Sequence, residues 1–246
     1  MKKDNSGGFV DTLRTVVYAL FIALFIRTFL YEPFNIPSAS MVPTLLIGDY
    51  LFVSKFSYGY SHHSLPFSPR LFSGRIFENV PERGDVAVFK FPRDNKTDYI
   101  KRIIGLAGDR IQVTGGSLYL NGELVKRQRL GEFVDVDRGG NGVRMTRYQE
   151  TLPNGKSYVV VEMTDSGPLD NTSVYVVPPG HYFGMGDNRD NSSDSRVLSQ
   201  VGYIPAENMV GRAEVLFFSI NGSAEWWEIW KWPAAIRFSR LFQSIK

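Results

Sequence analysis

The chain has 246 residues, 43% of them apolar and 14% aromatic, with a formal net charge of +3 and no cysteine. This composition argues against disorder, and the lack of cysteine excludes disulfides, thiolate catalysis and cysteine-held metal. So small a charge without a basic stripe gives no case for nucleic acid, and His62, His63 and His181 lack metal-ligand spacing, so neither metal nor cofactor is expected.

In chain order, the first element is an apolar run over residues 15–26, followed by Arg27 and Thr28-Phe29-Leu30-Tyr31. A helix over 15–31 rises about 25 Å, slightly short of a ~30 Å hydrocarbon core, with Arg27 and Tyr31 suited to one interface. A cleaved secretory signal and a buried core helix are the rival readings. No small-x-small site follows closely, which favours an uncleaved transmembrane anchor over 15–31. Lys2, Lys3 and Arg14 predict that residues 1–14 are cytoplasmic and that the rest lies across the membrane.

Beyond Pro33, short β-rich runs alternate with turn signals. Strands are predicted at 49–55, 85–91, 109–114, 157–163, 173–177 and 210–220, with a hairpin over Asn121-Gly122. Nothing supplies the crossover helices of a parallel sheet, so the architecture is mainly β and antiparallel. The polar stretch 112–178, with turns at 138–142 and 153–155, reads as an inserted β subdomain that splits a β core into 32–111 and 179–222. His62-His63 reads as a solvated loop pair, and His181 opens a strand-like run. In 223–246, Trp226, Trp227, Trp230 and Trp232 precede Pro233. Phe238, Leu241, Phe242 and Ile245 then recur at i, i+3, i+4, i+7, with Arg237, Arg240 and Lys246 elsewhere. That spacing predicts a short amphipathic helix, either at a membrane interface or packed on the β domain.

Two segments carry chemistry. Pro37-Ser38-Ala39-Ser40-Met41-Val42-Pro43-Thr44 offers a serine at a turn, and Asp98-Tyr99-Ile100-Lys101-Arg102-Ile103-Ile104-Gly105 offers a lysine among apolar neighbours. A serine hydroxyl needs a neighbouring base. Lysine serves only when neutral, which burial favours by disfavouring the ammonium. Strand alternation puts Ile100 and Arg102 on the face opposite Lys101, so sheet packing must cover the amine. Read singly, Ser38 and Ser40 fit a capped turn and Lys101 a solvated strand lysine.

With a third segment, Gly186-Asp187-Asn188-Arg189-Asp190-Asn191-Ser192-Ser193-Asp194-Ser195-Arg196, the ordered motifs resemble bacterial type I signal peptidases over about residues 10–220. Leu45-Leu46-Ile47-Gly48-Asp49, Arg83-Gly84-Asp85 and Gly105-Leu106-Ala107-Gly108-Asp109 match the family style. Ala107 departs where many members have proline, and Gly184 where a larger apolar residue is common. The resemblance implies a catalytic β core and a membrane-bound serine endopeptidase of the inner membrane that removes signal peptides from exported preproteins. It implies Ser40 as nucleophile, Lys101 as general base, and Ser38 with the Ser40 N–H as oxyanion donors. Ser192 would orient the lysine, with Gly186 in the same loop and Asp194 and Arg196 as a supporting ion pair. Phe34, Ile36, Met41, Leu45, Tyr99, Ile100 and Met185 are candidates for shallow substrate pockets that select Ala-x-Ala, the substrate lying extended along a strand edge. A monomer is expected, with preproteins and the lipid bilayer as partners. Ser40 follows about nine residues after Tyr31, close to the bilayer, where aromatic residues of 52–77 could reach the interface. A self-cleaving repressor-type serine/lysine protease, a non-enzymatic anchored β protein and an organellar relative are the alternatives.

Overall fold

The computed structural model describes residues 6–65, 68–69, 71–136, 142–225 and 227–245. Lys2, Lys3, the turn at 138–141, Trp226 and Lys246 lie outside the described residues. The first element is helix α1, Ser6–Phe29. Its 22-residue stretch Gly8–Phe29 has a mean hydropathy of 1.9 and is long and apolar enough to cross a membrane. Side chains such as Leu20 and Phe21 are exposed, so α1 is no core helix of this fold. It starts earlier and stops sooner than the run 15–31 suggested. Tyr31 is not in the helix but begins a strand, because Pro33 cannot extend a helix and suits an edge strand instead.

Among the described residues fourteen strands follow: β1 Tyr31–Asn35, β2 Asp49–Ser54, β3 Val86–Lys90, β4 Asp98–Gly105, β5 Arg110–Thr114, β6 Ser117–Leu120, β7 Glu123–Leu124, β8 Lys126–Val136, β9 Gly142–Thr151, β10 Ser157–Glu162, β11 Tyr175–Val176, β12 His181–Met185, β13 Ile204–Pro205 and β14 Met209–Ser219. The main sheet runs β1-β2-β14-β3-β4-β12-β13, antiparallel at each pairing. Its strands come from both sides of the polar stretch. Between them β10-β9-β8 and β11-β5-β6-β7 form two smaller sheets. Asn121 and Gly122 take φ of 56° and 86°, the left-handed pair that a two-residue hairpin turn requires. Ile104, Phe183 and Met185 of the main sheet share one core with Ile111, Val113, Leu118 and Val160 of the smaller sheets.

Two local expectations change. His63 is buried rather than solvated, in a short 3-10 turn whose start is capped by the Ser61 hydroxyl. The C-terminal helix is present as α2, but at Trp232–Ala235 with Pro233 in its first turn. Residues 238–245 do not continue it. Arg237 and Arg240 reach the buried Asp49 carboxylate, and Phe242 N–H, Ser244 and Ile245 N–H bond or bridge to β14. Those contacts confine helical geometry to one 3-10 turn at Phe238–Arg240 and lay residues 242–245 along β14, outweighing the helical period.

Candidate active site

The turn after β1 is closed by Val42 N–H to Ala39 O (3.1 Å) and Leu45 N–H to Met41 O (2.9 Å), presenting Ser40 beside β4. Lys101 lies in β4 opposite Ala87 of β3. On the other edge of β4, pairing with β12 begins only at Arg102, so the edge from Asp98 to Lys101 is unpaired. Lys101 Nζ lies 2.8 Å from Ser40 Oγ and donates to Ile100 O at 2.9 Å. Both side chains are buried, Ser40 at 8% and Lys101 at 3% exposure. Burial pushes the Lys101 amine down to about 8. Asp194 and Asp187 pull the other way, and Arg196 adds to the lowering. The Tyr99 ring sits 5.6 Å from the amine. Gly184 packs so closely that an added Cβ would lie 3.0 Å from Lys101 Cβ, so the departure to glycine leaves room at the lysine's root.

Beside this pair runs a groove of about 390 Å³. Phe34, Ile36, Ala39, Val88, Tyr99 and Ile100 form walls, Ser38, Ser40 and Lys101 face it, and among the described residues no histidine lines it. Of the pocket candidates, Met41, Leu45 and Met185 do not line the groove. They are core residues, at most 1% exposed. The bond from Leu45 N–H to Met41 O makes one helical turn, which puts both side chains on the same inward face against Leu51 and Val53. Met185 joins the core under β12. Ser38 is exposed, its Oγ 3.4 Å from Ser40 Oγ.

The loop after β12 forms the back of the site. Asn188 N–H donates to Ser40 O (3.1 Å) and the Asn188 amide to Ala39 O (3.2 Å), fixing the serine turn from behind. Asp194 and Arg196 form a fully buried ion pair at 2.9 Å, and Gly186 N–H donates to Asp194. Burial raises the Asp194 carboxyl, but Arg196, the Gly186 N–H and the nearby Ser192 hydroxyl outweigh it and hold the group below its ordinary value. Ser192 does not make the implied bond to Lys101. Its Oγ is buried facing Gly186, where an added Cβ would lie 2.2 Å away, and it makes no well-formed hydrogen bond among the described residues, though it lies near enough to Asp194 to help lower that carboxyl. The lysine instead satisfies itself on the Ile100 carbonyl.

Sequence reasoning missed the ionic frame around this loop. Arg102, on the face opposite Lys101, is buried. It grips both oxygens of Asp187 (2.8 and 2.7 Å), donates to Gly84 O and stacks on Tyr158. Thr44, four residues after Ser40, also donates to Asp187. Arg189 grips Glu150 of β9 in the same forked manner (2.8 and 2.6 Å). Arg102, Asp187 and Arg189 stand inside the quoted motifs, a usable signal. Glu150 has none, being far away in the polar stretch.

The family described as signal peptidase, peptidase S26, matches residues 9–218. The chain belongs to this family. It is 39% identical to signal peptidase I of Rickettsia typhi over 100% of this chain and 98% of that protein. The same identity and coverages hold for signal peptidase I of Rickettsia prowazekii. A crystal structure of a signal peptidase I from Enterococcus faecalis is 25% identical, covering 55% of this chain and 97% of that one, with a TM-score of 0.32. Membership makes the chain a protease of the kind that removes signal peptides.

Proposed function

We propose that this protein is a membrane-anchored serine endopeptidase that cuts exported preproteins after small-x-small sequences, with Ser40 as nucleophile and neutral Lys101 as general base. One observation carries the reading: a buried lysine amine, lowered by its burial, 2.8 Å from a buried serine hydroxyl in a groove that no histidine lines among the described residues. Lys101 takes the Ser40 proton as Oγ attacks the scissile carbonyl, then returns it to the leaving amine. Water, deprotonated by the same lysine, releases the acyl group. Ser38 Oγ and the Ser40 N–H donate to the oxyanion, where fixed donors act most strongly. Asp194, Arg196 and Gly186 hold the loop behind the dyad, with Ser192 buried in it against Gly186. Substrate lies along the unpaired edge of β4, its small residues facing Phe34, Ile36, Tyr99 and Ile100. α1 is the span, with its N-terminus cytoplasmic, the β domain outside and the protein a monomer.

The test is cleavage of a purified preprotein in detergent, with the cut mapped, by wild type, Ser40→Ala and Lys101→Ala. A single cut after Ala-x-Ala, reduced at least about 10⁴-fold in both variants, is expected. Undiminished cutting by either variant removes that residue from its role.

A further inference from the structure

A second cleft, of about 410 Å³, opens between the β8–β10 sheet and the segment following Ser40. Pro43 and Thr44 form one wall, Phe133, Arg147 and Val159 another, and Arg240 closes the end. Its charge is one-sided: among the described residues two arginines line it and no carboxylate does. Arg147 Nε is buried without a hydrogen-bond partner, and no ion pair engages Arg147 among the described residues. Arg240, at the cleft's end, pairs with the buried Asp49. Arg147 contrasts with Arg102, Arg189 and Arg196, each held by a buried carboxylate of its own.

The sheet register aims Arg147 at the substrate path. Cross-strand partners share a face. Phe133 pairs with Met145, and Arg147 pairs with Val161, so all four lie on the face that packs on Ala39 and Val42. Across from Arg147 on β8 stands Gly131 at a bulge, which leaves the guanidinium uncovered on that side. Ala39 lines the catalytic groove and packs in the same apolar cluster as Phe133, which lines the cleft. One apolar wall therefore joins the two cavities. Thr44 lies four residues beyond Ser40, at most about 14 Å even if extended. On the reading above, Phe34, Ile36 and Ile100 hold residues before the cut, so the side toward Phe133 receives those after it.

We propose that the Arg147 cleft is a subsite for an acidic side chain in the first few residues of the mature part of the preprotein. This rests on the proposed peptidase function. The carboxylate would fork onto Arg147. An anionic lipid headgroup offers similar charge, but Phe133 and the shared apolar wall lead from the cut rather than from α1, and this favours the peptide.

The experiment uses full-length enzyme in detergent and a preprotein in which residues after the cut are changed singly to Glu, Gln or Lys. Wild type is expected to favour Glu over Gln at one or two of these positions by about fivefold in kcat/KM, mainly through KM, with the preference shrinking at high salt. Arg147→Gln brings the ratio to about one, Arg147→Lys keeps part of it, and Arg147→Glu turns the preference toward Lys. Each ratio is internal to one variant, so altered stability does not enter it. Equal cleavage of Glu and Gln substrates by wild type, or a ratio unchanged in Arg147→Gln, overturns the proposal. So does an Arg147→Gln loss confined to binding of phosphatidylglycerol vesicles, which would make the cleft a lipid site. No cleavage of any substrate by wild type would instead strike at the peptidase reading itself.

Discussion

Burial lowers the Lys101 amine to about 8, and this sets a pH signature. Below about 8 the amine is protonated and cannot take the Ser40 proton, so kcat/KM is expected to climb with pH and level off above it. A pH–rate profile on a short peptide measures this; a flat profile from 6 to 10 would remove the lysine as base. The same shift enters stability with a definite sign. Free lysine titrates near ~10.4, so between about 8 and 10.4 the unfolded chain binds more protons and stability rises with pH. The burial penalty is full below 8 and gone above 10.4. Lys101→Met removes it, and that variant, inactive on the proposed mechanism, is expected to exceed wild type by up to about 3 kcal/mol at pH 7, the gap closing by pH 10.5, in urea unfolding. Gly186 makes a steric prediction. An added Cβ would meet Ser192 Oγ at 2.2 Å and Ser40 O at 2.5 Å. Gly186→Ala must displace the serine turn, and kcat/KM is expected to fall about 100-fold while Lys101 keeps its pH midpoint.

At the scale of elements, the catalytic loop is held by ion pairs reaching into the polar stretch. Glu150→Gln leaves Arg189 buried with a neutral partner, and the expected loss is about 3 kcal/mol in urea unfolding, because an uncompensated buried charge is costly. A loss below about 1 kcal/mol would show that this pair does not brace the loop. Strands were legible where β-branched and aromatic runs stand between turn signals, alternating in β5 and buried on both faces in β3. Asn121-Gly122 likewise announced its turn through a backbone demand. The strands β8 and β9 went unread: they are polar, and exposed Val134 and Val143 give no clean alternation. At the site, Ser40 and Lys101 were legible as chemistry. Met41 and Leu45 beside them were not separable from pocket walls, since only the closed turn decides that they face inward. The C-terminal segment misled for the opposite reason. Its period of Phe238, Leu241, Phe242 and Ile245 is helical, yet Asp49, nearly two hundred residues upstream, captures Arg237 and Arg240, and only the 3-10 turn Phe238–Arg240 forms.

Across the whole molecule, α1 and the β domain are nearly independent in packing. Of α1's described side chains only Thr28 is buried, so the main sheet loses almost no core if the helix is removed. β1, by contrast, pairs along its full length with β2 and carries Phe34 to the groove, so a truncation must stop before Tyr31. A chain starting at Tyr31 is therefore expected to fold and to cut a short soluble Ala-x-Ala peptide within about threefold of the full-length rate. Its handicap should appear only where the substrate is held in a bilayer. There, on the proposed reading, α1 confines enzyme and preprotein to the same thin layer and raises their effective concentration, a gain of about 100-fold or more in linked systems. Exposed Trp230 and Phe242 on the β domain give a residual lipid affinity that limits the loss. The comparison is of the two chains on one preprotein, first in detergent and then in vesicles. Equal rates in detergent with a large deficit in vesicles make α1 a device for co-localisation. Equal deficits in both make it part of the catalytic fold, against the packing described here.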